Sequence, residues 1–106
     1  MTYVLSFRPE VEEDAIGGYG WYEEKAAGLG EEFLRGFYAC AQEIPRNPFL
    51  YRKIYKDFRR TLLRRFPYAI YFRIEDDKIV VFGLFHCARN PVIIQNILLD
   101  RQQGGP

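Results

Sequence analysis

The chain has 106 residues, 48% of them apolar and 17% aromatic, which suits one folded domain over residues 1–106 with a single core and excludes a disordered chain. No apolar run approaches the roughly 20 residues that cross a bilayer, and the opening MTYVLSFRPE lacks the apolar centre of a signal peptide, so a cytoplasmic protein without a membrane partner is expected. The net charge of +1 conceals a division: residues 1–50 carry four basic and nine acidic side chains, residues 51–106 eleven and five, a polarity that draws nucleic acid or an acidic protein segment to one side.

Tyr3, Leu5 and Phe7 alternate with Val4, Ser6 and Arg8, the period of a short strand that Pro9 ends. Glu10, Glu12, Glu13 and Asp14 then supply the negative charge that favours a helix N-terminus, and Val11, Ala15, Tyr19, Tyr22 and Ala26 recur at helical spacing. Gly17, Gly18 and Gly20 oppose that helix by about 1 kcal/mol each, which close packing against another backbone would offset. Gly28 is the expected stop. A second helix restarts at Gly30, Glu31 and Glu32, runs antiparallel to the first, shows Phe33, Phe37, Ala41 and Ile44 on one stripe, and ends before Pro45. After a loop through Asn47 and Pro48 the period changes to strand over 58–65, 68–75 and 78–87, with Asp76 and Asp77 at a hairpin turn. The last strand is apolar at both parities, as a central strand covered on both faces requires. Asn90 and Pro91 start a short helix bearing Ile93, Ile94, Ile97 and Leu98, and the Gly104-Gly105-Pro106 end is expected to fray. The fold class is α+β: an N-terminal strand, an antiparallel two-helix hairpin, a three-stranded antiparallel meander and a C-terminal helix, with the helix pair on one face of the sheet.

Chemistry concentrates between Arg52 and Arg73, where eight cations face one acid, Asp57. Adjacent strand residues point to opposite faces, so the pairs Arg59/Arg60 and Arg64/Arg65 each place one guanidinium on either side. Such groups hold phosphate or carboxylate by two hydrogen bonds, or protect a strand edge from aggregation. The partner-binding candidates are Arg59, Arg60, Arg64, Arg65, Arg73, His86 and Arg89, expected to gather in a single zone. His86, the only histidine, stands beside Arg89 and could move a proton while an arginine stabilises phosphoryl charge; His86, Arg89 and Arg59 are therefore the catalytic candidates, against a purely structural, hydrogen-bonded histidine. Cys40 and Cys87, 47 positions apart, read as reduced thiols, and no ligand set for a metal or cofactor is visible.

The stretches GWYEEKAAGLGEEFL, IPRNP and RRTLLRRFPYAIYFRIEDDKIVVFGLFHCARNP resemble the RelE/ParE superfamily of toxins from bacterial type II toxin-antitoxin modules, the plasmid-stabilisation type. The resemblance covers nearly the whole chain and implies the fold already derived. RelE-like members cut mRNA in the ribosome; their middle-strand arginine falls on Tyr68 here, no tyrosine follows Tyr71, Arg89 matches an arginine that assists cleavage, and Arg59 lies near one of their basic positions. ParE-like members lack that apparatus and are associated with inhibition of DNA gyrase, and the FPY and H-x-x-R-N-P features look like that side. The implied function is a toxin that binds gyrase and is neutralised by a cognate antitoxin whose disordered segment folds across it. A ribosome-dependent mRNA endonuclease and a non-toxic binding module are the other readings. No sequence-specific DNA binding by the toxin alone is implied.

Overall fold

The computed structural model describes residues 2–103; the expected frayed end at 104–106 lies outside them. Strand β1 (Val4–Phe7) is followed by helices α1 (Glu10–Lys25) and α2 (Leu29–Glu43), two 3-10 turns (Ile44–Arg46 and Pro48–Leu50), strands β2 (Lys53–Tyr55), β3 (Phe58–Leu62), β4 (Tyr68–Glu75) and β5 (Lys78–His86), and helix α3 (Pro91–Gln103). The sheet order is β1-β5-β4-β3-β2. The expected meander is β3 to β5, with Glu75 paired to Lys78 across the Asp76-Asp77 turn. Two strands widen it. β2 joins β3 antiparallel as a short edge, and β1 runs parallel to β5, Val4 opposite Lys78 and Phe7 opposite Val81. The sheet is thus mixed.

The glycines set how closely α1 and α2 approach. A Cβ on Gly18 would stand 2.4 Å from Cε2 of Phe33, and one on Gly30 would stand 2.7 Å from the backbone oxygen of Tyr19. Gly28 does not end α1, which stops at Lys25; with φ at 87° it is the left-handed residue from which α2 starts. The Glu23 carboxylate reaches back to accept the N–H groups of Gly28 and Gly30, both at 3.0 Å, and so satisfies donors that the first turn of α2 leaves open.

α1 and α2 cover one face of the sheet. Phe33, Phe37 and Ala41 of α2, with Ile44 in the following turn, meet Ile70, Phe72, Ile79 and Val81 in the larger core. Because β5 is apolar at both parities, its second face needs its own cover, and α3 provides it: Ile94 and Leu98 bury against Phe58, Tyr71, Phe82 and Phe85. Val92 and Ile93, on the outer side of α3, stay exposed.

β1 ends opposite Val81, so from Phe82 onward that edge of β5 has no strand beside it among the described residues. Asp14 and Arg101 occupy the gap. Asp14 accepts the Leu84 N–H at 3.1 Å, and Arg101 donates to the Phe82 carbonyl at 2.8 Å. The two side chains join by a two-bond contact of 2.7 and 2.9 Å, with only 14% of the arginine and 11% of the aspartate exposed. One ion pair therefore ties α1, β5 and α3 together around the sheet edge.

Candidate functional site

The basic segment is divided by the fold rather than gathered by it. On β3, Arg59 sits opposite Phe72 and Arg60 opposite Tyr71. Facing residues share a side of the sheet, so Arg59 points toward the helix pair and Arg60 toward the α3 face, as the alternation requires. Arg59 donates to the Tyr51 carbonyl at 2.6 Å and lies over the Phe49 ring at 5.1 Å. Arg60 is exposed beside Arg52, whose carbonyl accepts its N–H at 3.3 Å. Arg73, also on the α3 face, lies over Phe58 and Phe82 at 5.6 and 5.8 Å and approaches Glu75 at 3.6 Å. Its guanidinium shields the smaller core.

Arg64 and Arg65 depart from the strand expected over 58–65. β3 ends at Leu62, because Leu63 and Phe66 both turn inward to the larger core and the Leu63 N–H closes a bond to the Tyr68 carbonyl at 2.9 Å. The chain bends there, and alternation no longer separates the two arginines. Both meet α2, Arg64 with Glu43 at 3.5 Å and Arg65 with Glu32 at 3.1 Å. They flank a groove of about 560 Å3 between α2 and the bend.

His86 and Arg89 lie elsewhere, in a shallow depression of about 300 Å3 shared with Glu13 and Tyr68. The His86 Nδ1 accepts the Ala88 N–H at 3.0 Å, and its ring meets Tyr68 edge-on at 5.3 Å. Arg89 stacks over Phe85 at 5.4 Å. Tyr68 packs against Phe33 at 4.8 Å, and burial pushes its hydroxyl above the ordinary tyrosine value of 10.0. His86 faces Tyr68, whereas Arg59 faces Phe72 four residues along β4 and two strands away, about 16 Å by strand geometry. Arg59 therefore does not join His86 and Arg89. Cys87 is exposed and Cys40 half-buried, both free; burial also raises the Cys40 thiol. Among the described residues no three His, Cys, Asp or Glu side chains gather as a metal site, and no helix is long and apolar enough to cross a membrane.

The partners of these cations escape a reading of strand periodicity. Glu32 and Glu43 had one available signal: with Gly36 and Ala39 or Cys40 they form a polar, small-residue stripe beside the apolar stripe of α2. Asp14 and Arg101, 87 positions apart, had none.

A family model described as the ParE toxin of type II toxin-antitoxin system, parDE, matches residues 5–91, from β1 to the first residue of α3. Toxin ParE2 of Mycobacterium tuberculosis, from strains CDC 1551 / Oshkosh and ATCC 25618 / H37Rv, is 26% identical over 96 residues, 90% of this chain and 91% of the relative. A solved structure described as the chromosomal ParDE TA system from P. aeruginosa contains a chain similar in fold, with a TM-score of 0.70 at 14% identity, covering 80% of this chain and 96% of that one.

Proposed function

This chain belongs to the ParE toxin family of type II toxin-antitoxin systems, and from that membership we propose that it arrests growth in the cytoplasm by binding DNA gyrase, without cutting nucleic acid, until a cognate antitoxin neutralises it. One observation carries the choice of binding over cleavage: the three candidate catalytic groups do not converge. Arg59 is engaged by Tyr51 and Phe49 at one end of the sheet, and His86 and Arg89 stand at the other. In-line phosphoryl chemistry needs its acid, base and charge stabiliser around one phosphate. The His86 Nδ1 also already holds a backbone N–H, which leaves only Nε2 for a substrate.

A second reading keeps one support. Arg89 and His86 do share a depression, as a ribosome-dependent endonuclease would need for at least part of its site. A chain with no toxicity is the third. On the proposed reading, Arg59, Arg60, Arg64, Arg65, Arg73, His86 and Arg89 serve contacts to antitoxin or target, through more than one surface. Induction in a bacterial host is expected to stop growth, and the purified protein to inhibit supercoiling by gyrase. Cleavage of translated mRNA that disappears in Arg89→Ala, with supercoiling untouched, would transfer the function to the endonuclease. Unimpaired growth at confirmed expression would leave only the binding module.

A further inference from the structure

The ion pairs divide the cations that lie between Arg52 and Arg73. Arg64, Arg65 and Arg73 each meet a glutamate, and Lys53 meets Asp57 at 3.4 Å. Arg59 is held by the Tyr51 carbonyl. Arg52, Lys56 and Arg60, all exposed, have no carboxylate partner among the described residues. The fold brings these three to one side of the β2-β3 corner. Lys53 lies opposite Arg59, so Arg52 falls opposite Arg60, as the bond from the Arg60 N–H to the Arg52 carbonyl requires. Residues directly opposite share a side, with Cβ atoms about 5 Å apart. Arg60 is also opposite Tyr71, which places both arginines on the α3 side of the sheet. Tyr55 packs on that side against the smaller core, and the Lys56 Nζ lies 5.5 Å from its ring. Like charges directly opposite one another oppose folding, and here no acid relieves them: Glu75, on the same side, is engaged by Arg73.

We propose that Arg52, Lys56 and Arg60 form a grip for the phosphate backbone of duplex DNA that does not read its sequence. An uncompensated cluster of this kind neutralises phosphates and releases their counterions, and each guanidinium presents a fork that fits a phosphate. Single strands are held by stacking bases on open rings, and this side has none to offer: Phe58, Tyr71, Phe82 and Phe85 are buried, and Tyr55 is half-buried beside Lys56. A protein partner would need an apolar centre with little charge. Leu62 is the one exposed apolar side chain that β3 turns to this side, and three cations surround the corner instead. The choice of DNA over duplex RNA rests on the gyrase reading above, since a toxin seated on gyrase works beside a DNA duplex. A weak grip on that duplex raises the local concentration of the toxin at its target without adding a contact to the enzyme.

The test titrates the full chain into labelled duplexes of about 30 base pairs and unrelated sequence, followed by fluorescence anisotropy. A Kd of about 10 μM at about 50 mM salt is expected, the same for each sequence, weakening about 40-fold by about 200 mM as three phosphate contacts require. Arg52→Gln with Arg60→Gln should weaken binding at least about 10-fold at the lower salt and reduce the loss across that range to about fourfold. Its Tm should not fall, because the opposed charges are gone. Should it melt below the parent, Arg52→Gln and Lys56→Gln taken singly serve in its place, each lowering the salt slope by about 1. Lys25→Gln with Arg35→Gln removes the same charge from the helix pair and should leave affinity within about twofold, since those cations sit over Trp21 and beside Glu31. A parent that does not bind the duplex, a corner variant that binds as the parent does, or tighter binding to duplex RNA, a single strand or polyglutamate would each overturn the proposal. Supercoiling by gyrase is measured in parallel. Inhibition without duplex binding overturns the grip and leaves the gyrase reading standing, whereas corner-dependent duplex binding with supercoiling untouched supports the grip and overturns that reading.

Discussion

Replacement of Arg101 by alanine should be among the most damaging single changes outside the apolar cores. The guanidinium holds both oxygens of Asp14 and the Phe82 carbonyl, all within 2.9 Å. Without it, Asp14 keeps the Leu84 N–H at 3.1 Å as its remaining contact, and a carboxylate whose side chain is 11% exposed loses its counter-charge. Removing one partner of such a pair costs about 3–5 kcal/mol. The lower end applies here, because the site lies at a sheet edge that water can partly reach. About 3 kcal/mol corresponds to a fall in Tm of roughly 12–20 °C for a chain of this size, measured by circular dichroism. Asp14→Asn and the double variant complete a cycle. The double variant should be less damaged than the two losses combined, by about 2 kcal/mol, because neither charge is then left alone. Arg35→Ala provides the contrast, since its pair with Glu31 is 70% and 68% exposed and should shift Tm by no more than a few degrees. A Tm within about 3 °C of the parent for Arg101→Ala, or strict additivity in the cycle, would refute the view that this pair closes the sheet edge.

The glycines of α1 should separate by sign. Gly18→Ala forces a Cβ to 2.4 Å from the Phe33 ring, which is fully buried among Tyr22, Phe66 and Tyr68; a loss of about 1–3 kcal/mol in urea unfolding is expected. Gly17→Ala, with nothing within 4 Å of its Cβ, should instead gain about 0.5–1 kcal/mol. Leu98→Ala empties the centre of the core beneath α3 and should cost about 2–5 kcal/mol, read as a lower urea midpoint. Alkaline titration tests the buried phenols. Burial raises Tyr22, Tyr51 and Tyr68 above 10.0, so the folded state holds these protons more tightly than the unfolded state. Stability should be level below about pH 10 and decline as pH rises through the folded values; Tyr68→Phe should make that decline shallower, followed by unfolding midpoints from pH 8 to 11.

Periodicity made the long elements legible, and non-local contacts hid the rest. β5 announced two covers because Ile79 to Phe85 is apolar at both parities, and the structure supplies one on each side. β2 escapes the periodicity because Lys53-Ile54-Tyr55 is too short to show a period and holds to β3 through an irregular register. β3 stops three residues short of the pattern, since Thr61 to Arg65 still looks like strand. What ends it is the burial of both Leu63 and Phe66 beneath the helices, a demand of tertiary packing that no local window contains. The arginine count revealed a charge but not its distribution. Arg59 and Arg60 obey alternation, whereas Arg64 and Arg65 share a side because the chain has already turned.

The opposite charges of the two halves of the chain meet across the fold. Asp14, Glu32 and Glu43 belong to the acidic helix pair, and each finds an arginine of the basic half: Arg101, Arg65 and Arg64. The same ionic chemistry serves two ends, and exposure decides which. Where the pair is shut in at the edge of β5, breaking it strands a charge, so it acts as a fastener. Where the arginines stand in water along α2, one carboxylate substitutes for another at small cost, so the contact is open to exchange. The division should show in salt: high ionic strength should weaken the exchangeable pairs and any partner held there, while the Asp14-Arg101 contact and the melting temperature it supports change little.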